Sequence, residues 1–379
     1  MSFSPEERKR YARHFSLPGF GTEGQQRLKE SSVLCIGAGG LGSPITMYLA
    51  AAGVGHVGVV DADTVDVSNL QRQLLFGSGN VGEKKVHAAA ERLRDINPAI
   101  LISTHDTIFR ADNAMALAGE FNLLIDGTDN FPTRYLSNDV AVFLGIPNVY
   151  GSIFRFEGQV AVFAPHLGGP CYRCLFPNPP DPGSVPNCAE GGVLGVLPGV
   201  VGSLQAMEAI KLLAGIGESS TGRLLHYDAL ALKFREFKLR RDPLCPVCGD
   251  SPTITEPIDY EEFCGMPAIP NPIPDVPAID VHELKAKLDR GDAFQFIDVR
   301  EKEENDFCKI EGAKLIPLGE FMERLGEIEK DRPVVVHCKV GGRSARAVEI
   351  LIAHGFDATN VEGGINAWSE EIDESVPLY

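Results

Sequence analysis

Pro252, Pro257, Pro267, Pro270, Pro272, Pro274 and Pro277 crowd into one stretch of the chain, and that stretch constrains how everything around it can fold. Proline fixes φ and has no backbone donor, so such a segment can neither join a sheet nor continue a helix. A run such as PAIPNPIPDVP is expected to lie extended at roughly 3 Å per residue, a reach of about 30 Å. The chain has 379 residues, too long for one ordinary core. These observations divide it into a domain at 1–249, a linker at 250–276 and a smaller domain at 277–379.

Before the linker, apolar runs alternate with helix-like segments. VLCIGAGGLG reads as a strand turning into a helix, while HVGVVDAD and NLLIDGTDN read as strands ending in acids. That alternation predicts an α/β fold with a parallel sheet. GQVAVFAP and LLHYDALALKFREFKL suggest an antiparallel extension, so the sheet as a whole is mixed. GVVGSLQAMEAIKLLAG has the spacing of a buried helix. After the linker, AFQFIDVR and PVVVHC are strands of a second, smaller α/β unit.

Net charge is −17, which argues against a nucleic-acid binder, since that would need a basic face. No run of 18 or more apolar residues suggests a membrane span, and the charged start lacks a signal-peptide core, so a cytoplasmic location is expected. Nine cysteines, four of them in two CxxC pairs, point to metal binding and thiol chemistry more than to disulfides.

Gly37, Gly39 and Gly42 form GxGxxG directly after a strand and at a helix start, where backbone can approach phosphate closely. Asp61, at the end of the next strand, could hold ribose hydroxyls. Alone this motif points to NAD or FAD, and it is weak evidence for any one nucleotide. SNLQRQLLF then brings Asn69, Arg72 and Gln73 together, VGEKK supplies Lys85, and GTDN supplies Asp129 and Asn130. Cations near a glycine-rich turn suit a triphosphate, and a carboxylate at a strand end suits Mg²⁺. The alternative is that Arg72 and Lys85 only pair with surface acids.

GAGGLG, DADTVDVSNLQRQ, VGEKK, DGTDN, CYRC, GSLQAMEAIK and CPVCG, in that order across residues 5–249, resemble the MoeB/ThiF family of E1-like activating enzymes. The resemblance implies a Rossmann-like adenylation domain whose glycine-rich turn, Gly40 included, cradles ATP. It implies that Asp61 holds the ribose, that Arg72 and Lys85 contact phosphates, and that Asp129 binds Mg²⁺. Asn69, Gln73 and Asn130 would line the nucleotide site. Arg13, in RYARH, matches an arginine that reaches into the partner subunit's ATP site, which implies a homodimer.

Cys171 and Cys174 form one CxxC, Cys245 and Cys248 the other. Four thiolates in two close pairs suit a closed structural Zn²⁺ site, the alternative being redox pairs or reduced core cysteines. Cys188, in PNCAEGG, sits in a segment rich in proline and glycine. The resemblance places it on a loop over the adenylate, as an acyl acceptor or the partner in a mixed disulfide; an inert loop cysteine is the other reading.

VVVHCKVGGRSARAV reads as strand, short loop and helix, with Cys338 first in the loop. Inward amides at Gly341 and Gly342, the helix start and Arg343 would stabilise a thiolate or persulfide. Four residues separate Cys338 from Arg343, a smaller loop than the Cys-x5-Arg loop that holds phosphate. With FIDVRE, GAKLIPLGE and VEGGINAW in order, residues 277–379 resemble a rhodanese-type sulfurtransferase domain. Cys338 would then carry the persulfide, with Asp298 and Arg300 as supports for its loop.

Joined, the two resemble the MoeZ/MOCS3 group of fused enzymes. The implied substrate is a small ubiquitin-like sulfur carrier ending in Gly-Gly, adenylated with ATP and then converted to a thiocarboxylate. A cysteine desulfurase or thiosulfate would donate the sulfur. The alternatives are an activator of a ubiquitin-like modifier, a non-catalytic scaffold, and an NAD-dependent oxidoreductase resting on GxGxxG alone.

Overall fold

The computed structural model describes residues 3–180, 192–264 and 276–378, which fall into two compact units, Met1–Gly265 and Met266–Tyr379. In the first, β1 (Ser32–Ile36), β2 (His56–Val60), β3 (Leu101–His105), β4 (Leu123–Asp126) and β5 (Asn148–Phe154) form a parallel sheet in the order β3-β2-β1-β4-β5. Strands β6 (Glu157–Phe163), β7 (Arg223–Asp228) and β8 (Lys233–Lys238) extend it antiparallel.

The central strands are continuous apolar runs because both sheet faces are covered. Val33 and Cys35 face the helices Gly42–Ala52 and Val196–Ala214; Leu34 and Ile36 face the helix Phe131–Leu144. Val196–Ala214 is apolar enough, over 19 residues, to cross a membrane by length and composition. It escaped the sequence criterion because Gln205, Glu208 and Lys211 interrupt it. Here it is a core helix: the buried Gln205 amide donates to the carbonyls of Asp126 and Val149 at 2.8 and 3.2 Å, tying the helix to β4 and β5.

The linker does not begin at 250. Residues 258–264 belong to the first unit, because Tyr260 and Cys264 are buried against the helix Phe131–Leu144. The Tyr260 hydroxyl donates to Asp139 at 2.9 Å, and Asp139 is also ion-paired with the buried Arg173. Arg173 lies 4.3 Å from the Phe263 ring centre. Pro257 therefore immediately precedes a packed segment, while Pro252 is exposed.

The second unit is a five-stranded parallel sheet, in the order β11-β10-β12-β13-β9. Its strands are β9 (Ala278–Ile279), β10 (Gln295–Asp298), β11 (Lys314–Leu315), β12 (Val334–His337) and β13 (Ala358–Val361). Val334 and Val336 pack on Val348 and Leu351 of the helix Gly342–Ala353. Val335 turns the other way, to Leu284 and Trp368.

Candidate active sites

The order of the first sheet reverses direction between β1 and β4, and at such a switch point the loops leaving the strand ends part to form a crevice. A cleft of about 340 Å³ lies there. Gly37, Gly39 and Gly40 line it from the turn after β1, Asp61 from the end of β2, and Thr128, Asp129 and Asn130 from the end of β4. Asn69, Arg72, Gln73 and Lys85 complete the wall.

The turn after β1 needs glycine at 42 for a steric reason. A Cβ there would stand 2.0 Å from the Gly37 carbonyl oxygen, so Gly42 closes the turn onto the helix without lining the cleft. Asp61 is held at both oxygens, accepting from Ala38 N at 2.8 Å and from Asp63 N at 2.9 Å, which fixes the carboxylate facing the turn. The nearly buried Lys85 ammonium reaches Asp63 at 2.8 Å. Arg72 donates to the Ser68 carbonyl at 3.0 Å. Asn130 caps the helix Phe131–Leu144 by accepting from Thr133 N at 2.9 Å, with Pro132 in the first turn.

The two CxxC pairs meet. Cys171, Cys174, Cys245 and Cys248 place their sulfurs within 4.8 Å of one another, with Cys171–Cys245 at 3.5 Å and Cys174–Cys248 at 3.4 Å. A tetrahedron of thiolates about 2.3 Å from Zn²⁺ has edges of about 3.8 Å, so the arrangement fits that ion. Asp242 N donates to Cys174 at 3.3 Å, a backbone contact that orients a thiolate ligand.

In the second unit Cys338 leaves the end of β12 with its sulfur buried. Gly341 N donates to Sγ at 3.1 Å, and the Ser344 hydroxyl, whose one proton can go to Sγ at 3.3 Å or to Gly341 O at 3.1 Å, stands beside it. The loop's carbonyls are taken up elsewhere: Ile365 N donates to Cys338 O at 2.9 Å and Asn366 N to Lys339 O at 3.1 Å. The start of the helix Gly364–Glu371 thus draws carbonyls away from the sulfur and leaves donors facing it. A Cβ on Gly364 would stand 2.4 Å from Cys338 O and 2.6 Å from Lys339 O, so no other residue permits that approach. Arg343 is engaged with Glu304 through two 2.7 Å bonds. Beneath the loop, the fully buried Asp298 and Arg300 pair at 2.7 Å, and Arg300 also donates to Cys308 O at 2.8 Å.

Comparison with known proteins gives this architecture relatives. Residues 11–247 match the ThiF family, and residues 280–371 match the rhodanese-like domain. The chain belongs to the ThiF family. Mycobacterium tuberculosis MoeZ, named a probable adenylyltransferase/sulfurtransferase, is 47% identical over all of this chain and 97% of its own length. The pig protein named adenylyltransferase and sulfurtransferase MOCS3 is 42% identical, over all of this chain and 89% of its own. The sulfur carrier protein adenylyltransferase of Thermus thermophilus is 55% identical over 70% of this chain and all of its own. Among solved structures, Escherichia coli MccB shares the fold, with a TM-score of 0.57 at 23% identity over 63% of this chain and 74% of that one.

Of the residues singled out for the ThiF nucleotide site, the fold gathers Gly37, Gly39, Gly40, Asp61, Asn69, Arg72, Gln73, Lys85, Asp129 and Asn130 around one cleft. Arg13 does not line it. It is exposed on the short helix Ala12–Phe15 and makes no hydrogen bond or ion pair among the described residues. Cys188 lies outside the described residues. Two residues were missed. Ser344 reads as an ordinary helix residue until the turn brings its hydroxyl to Cys338. Arg134, which lines the cleft while 8% exposed, sits one turn into a helix with no motif to mark it. Cys35 and Cys264 are core; burial pushes the Cys264 thiol up to about 11, against the opposing Arg173 charge.

Proposed function

We propose that this chain adenylates the C-terminal carboxylate of a small ubiquitin-like sulfur carrier ending in Gly-Gly, and delivers sulfur to it from a persulfide on Cys338. It is an enzyme of two activities, an adenylyltransferase joined to a sulfurtransferase. The observation that carries the reading is one chain holding both a ThiF cleft with its nucleotide-facing residues assembled and a cysteine ringed by donors at a strand end.

A carboxylate resists attack by a sulfur nucleophile because its leaving group would be oxide. Attack of a carboxylate oxygen on the α-phosphorus of ATP forms one P–O bond and breaks another, and pyrophosphate departs with the electron pair. The glycine turn and the cations of Arg72 and Lys85 position the phosphates and offset their charge, so this half is positioning and electrostatics. Asp61 holds the ribose, and Asn69, Gln73 and Asn130 frame the nucleotide. Mg²⁺, held by Asp129, would offset charge on the leaving pyrophosphate. Zn²⁺ held by Cys171, Cys174, Cys245 and Cys248 would tie residues 171–174 to 245–248, a structural role and not a chemical one.

In the second half the terminal persulfide sulfur attacks the acyl carbon and AMP leaves. Reduction of the resulting acyl disulfide by a thiol releases the thiocarboxylate. Cys188 is the candidate for that thiol, or for an acyl-enzyme before it. With Cys188 as that thiol, the exchange leaves a Cys188–Cys338 disulfide and releases the thiocarboxylate. Two electrons from an external thiol reduce the disulfide, and the freed Cys338 thiolate then takes sulfane sulfur from thiosulfate, with loss of sulfite, or from a cysteine desulfurase persulfide. The enzyme acts as a homodimer, Arg13 of each subunit serving the other's ATP site, consistent with its exposure.

Cys338→Ala separates the halves. It is expected to keep carrier-dependent ATP–pyrophosphate exchange and to form no thiocarboxylate, read by mass spectrometry of the carrier. Loss of both activities together would show that the labour is not divided in this way.

A further inference from the structure

Arg134 is a buried cation with no acid in hydrogen-bonding contact among the described residues; Asp126 and Asp129 act on it only through space. Its side chain is 8% exposed, and its Nε is buried with no hydrogen-bond partner. Its one hydrogen bond, from a terminal nitrogen to Thr128 O, is long at 3.4 Å, and it makes no ion pair among the described residues. The guanidinium lies 5.5 Å from the Phe131 ring centre and 5.7 Å from that of Tyr150, so aromatic faces hold it in place. Burying a charge that no acid meets by a hydrogen bond is costly, and an anion entering the cleft would offset that cost.

Position identifies the anion. The glycine turn, Arg72 and Lys85 serve the phosphates from the β1 and β2 side of the cleft, whereas Arg134 stands past Asp129 on the β4 and β5 side. The cleft runs on to Ile153 of β5, and immediately beyond, Phe154, Phe156 and Leu230 are exposed around a second, largely apolar depression. A polypeptide lying over that apolar surface would bring its end into the cleft on the Arg134 side.

We propose that Arg134 grips the carboxylate that is adenylated, its planar fork orienting one oxygen toward the α-phosphorus. In the reaction that oxygen forms the new P–O bond, pyrophosphate leaves, and the second oxygen becomes the acyl carbonyl, still held. No proton moves. Arg134 stays cationic throughout: burial alone would lower its pKa, but the surrounding Tyr150 and Asp126 field raises it further.

The inference rests on the adenylation reading, and its test fails separately. The probes are the Gly-Gly carrier that supports pyrophosphate exchange in the wild type and the same carrier with a C-terminal amide, each titrated onto the full chain with a non-hydrolysable ATP analogue bound. The wild type should prefer carboxylate over amide by about 10- to 100-fold, the worth of a charged hydrogen-bonded pair. Arg134→Gln should bind both at the amide level with ATP-analogue affinity unchanged, and Arg134→Lys, which keeps charge without the fork, should fall between. Arg134→Lys also reads the ratio should Arg134→Gln not fold. A preserved carboxylate preference with weakened ATP-analogue binding would make Arg134 a phosphate ligand and overturn the proposal. Absence of exchange with any carrier in the wild type would instead sink the adenylation reading.

Discussion

Both sites arise where a parallel strand ends in a glycine-containing turn and a helix begins, yet the two turns handle an anion differently. After β1 the turn opens into a cleft of about 340 Å³, and the groups for the ligand come from the ends of β1, β2 and β4 and the segments between them. After β12 the turn closes on a single sulfur, and the donors come from Gly341 N and Ser344 Oγ, six residues or fewer from Cys338. The cleft is lined by full charges, Arg72, Lys85 and Arg134, which in the proposed reading serve the phosphates and the carboxylate. The loop offers dipoles to one sulfur, with its arginine engaged by Glu304. Ligand size and charge thus follow from how far the turn opens and what the neighbouring helix start is doing.

The strongest way to break the comparison is to add a methyl group to each turn. Gly42→Ala drives a Cβ to 2.0 Å from Gly37 O, and the turn must shift. Adenylation, read as pyrophosphate exchange, should fall by more than about 100-fold, the rate cost of roughly 3 kcal/mol, while thiosulfate–cyanide sulfur transfer by Cys338 persists. Gly364→Ala should do the reverse, because its Cβ meets Cys338 O and Lys339 O, the carbonyls that must stay turned away from the sulfur. A variant that lost both activities would mean the two turns depend on one another.

Acid should separate the units next. His337, wholly buried before Cys338, is held down to about 4 by burial, with Arg300 adding to the effect and Asp298 opposing it. An unfolded histidine titrates near 6.5. Between pH 6.5 and 4 the unfolded chain binds a proton that the folded chain does not, so the second unit loses about 3 kcal/mol as pH falls through that window. Asp298 adds its own loss lower still: Arg300 and His337 hold its carboxyl below the usual range despite burial. Asp126, beside the cleft, has the opposite sign. Burial raises its pKa, so its contribution is present at low pH and lost as pH rises. Thermal unfolding followed from pH 7 to 4 should therefore show the second unit's transition dropping, and His337→Phe should flatten it.

How much of this was legible follows from where each determinant sits in the chain. The cleft residues occur in runs such as SNLQRQ and GTDN, because strand ends and the turns after them are contiguous in sequence. Arg134 is spaced as a helix residue, and only its packing against Phe131 and Tyr150 reveals that its Nε has no hydrogen-bond partner. The linker's start was misread because proline density says where regular structure stops, while what holds residues 258–264 is a hydrogen bond to Asp139, far back in the chain. The thiol loop was legible from Cys338 to Gly342; its outer support, Gly364, lies in VEGGINAW, where the sequence shows the glycine but not the carbonyls it approaches.

The smallest expected effect bears on Arg343, which the sequence casts as a positive charge for the sulfur. The structure places it in a two-bond pair with Glu304, with side chains 20% and 13% exposed. If the charge acts on the sulfur, Glu304→Gln releases Arg343 from this pair and sulfur transfer rises, while Arg343→Met lowers it. If the pair is a strut between the helices Lys302–Phe307 and Gly342–Ala353, either change costs about 1–2 kcal/mol of transfer, because each removes the two-bond contact that joins them. The double variant should then be no worse than the poorer single one. The geometry favours the strut: the sulfur's donors are an amide and a hydroxyl, and a guanidinium held at both ends of its fork reaches the thiol through the turn it braces. A double-mutant cycle on thiosulfate–cyanide transfer decides it, and a rise in Glu304→Gln would erase the contrast between a cleft that uses charges and a loop that uses dipoles.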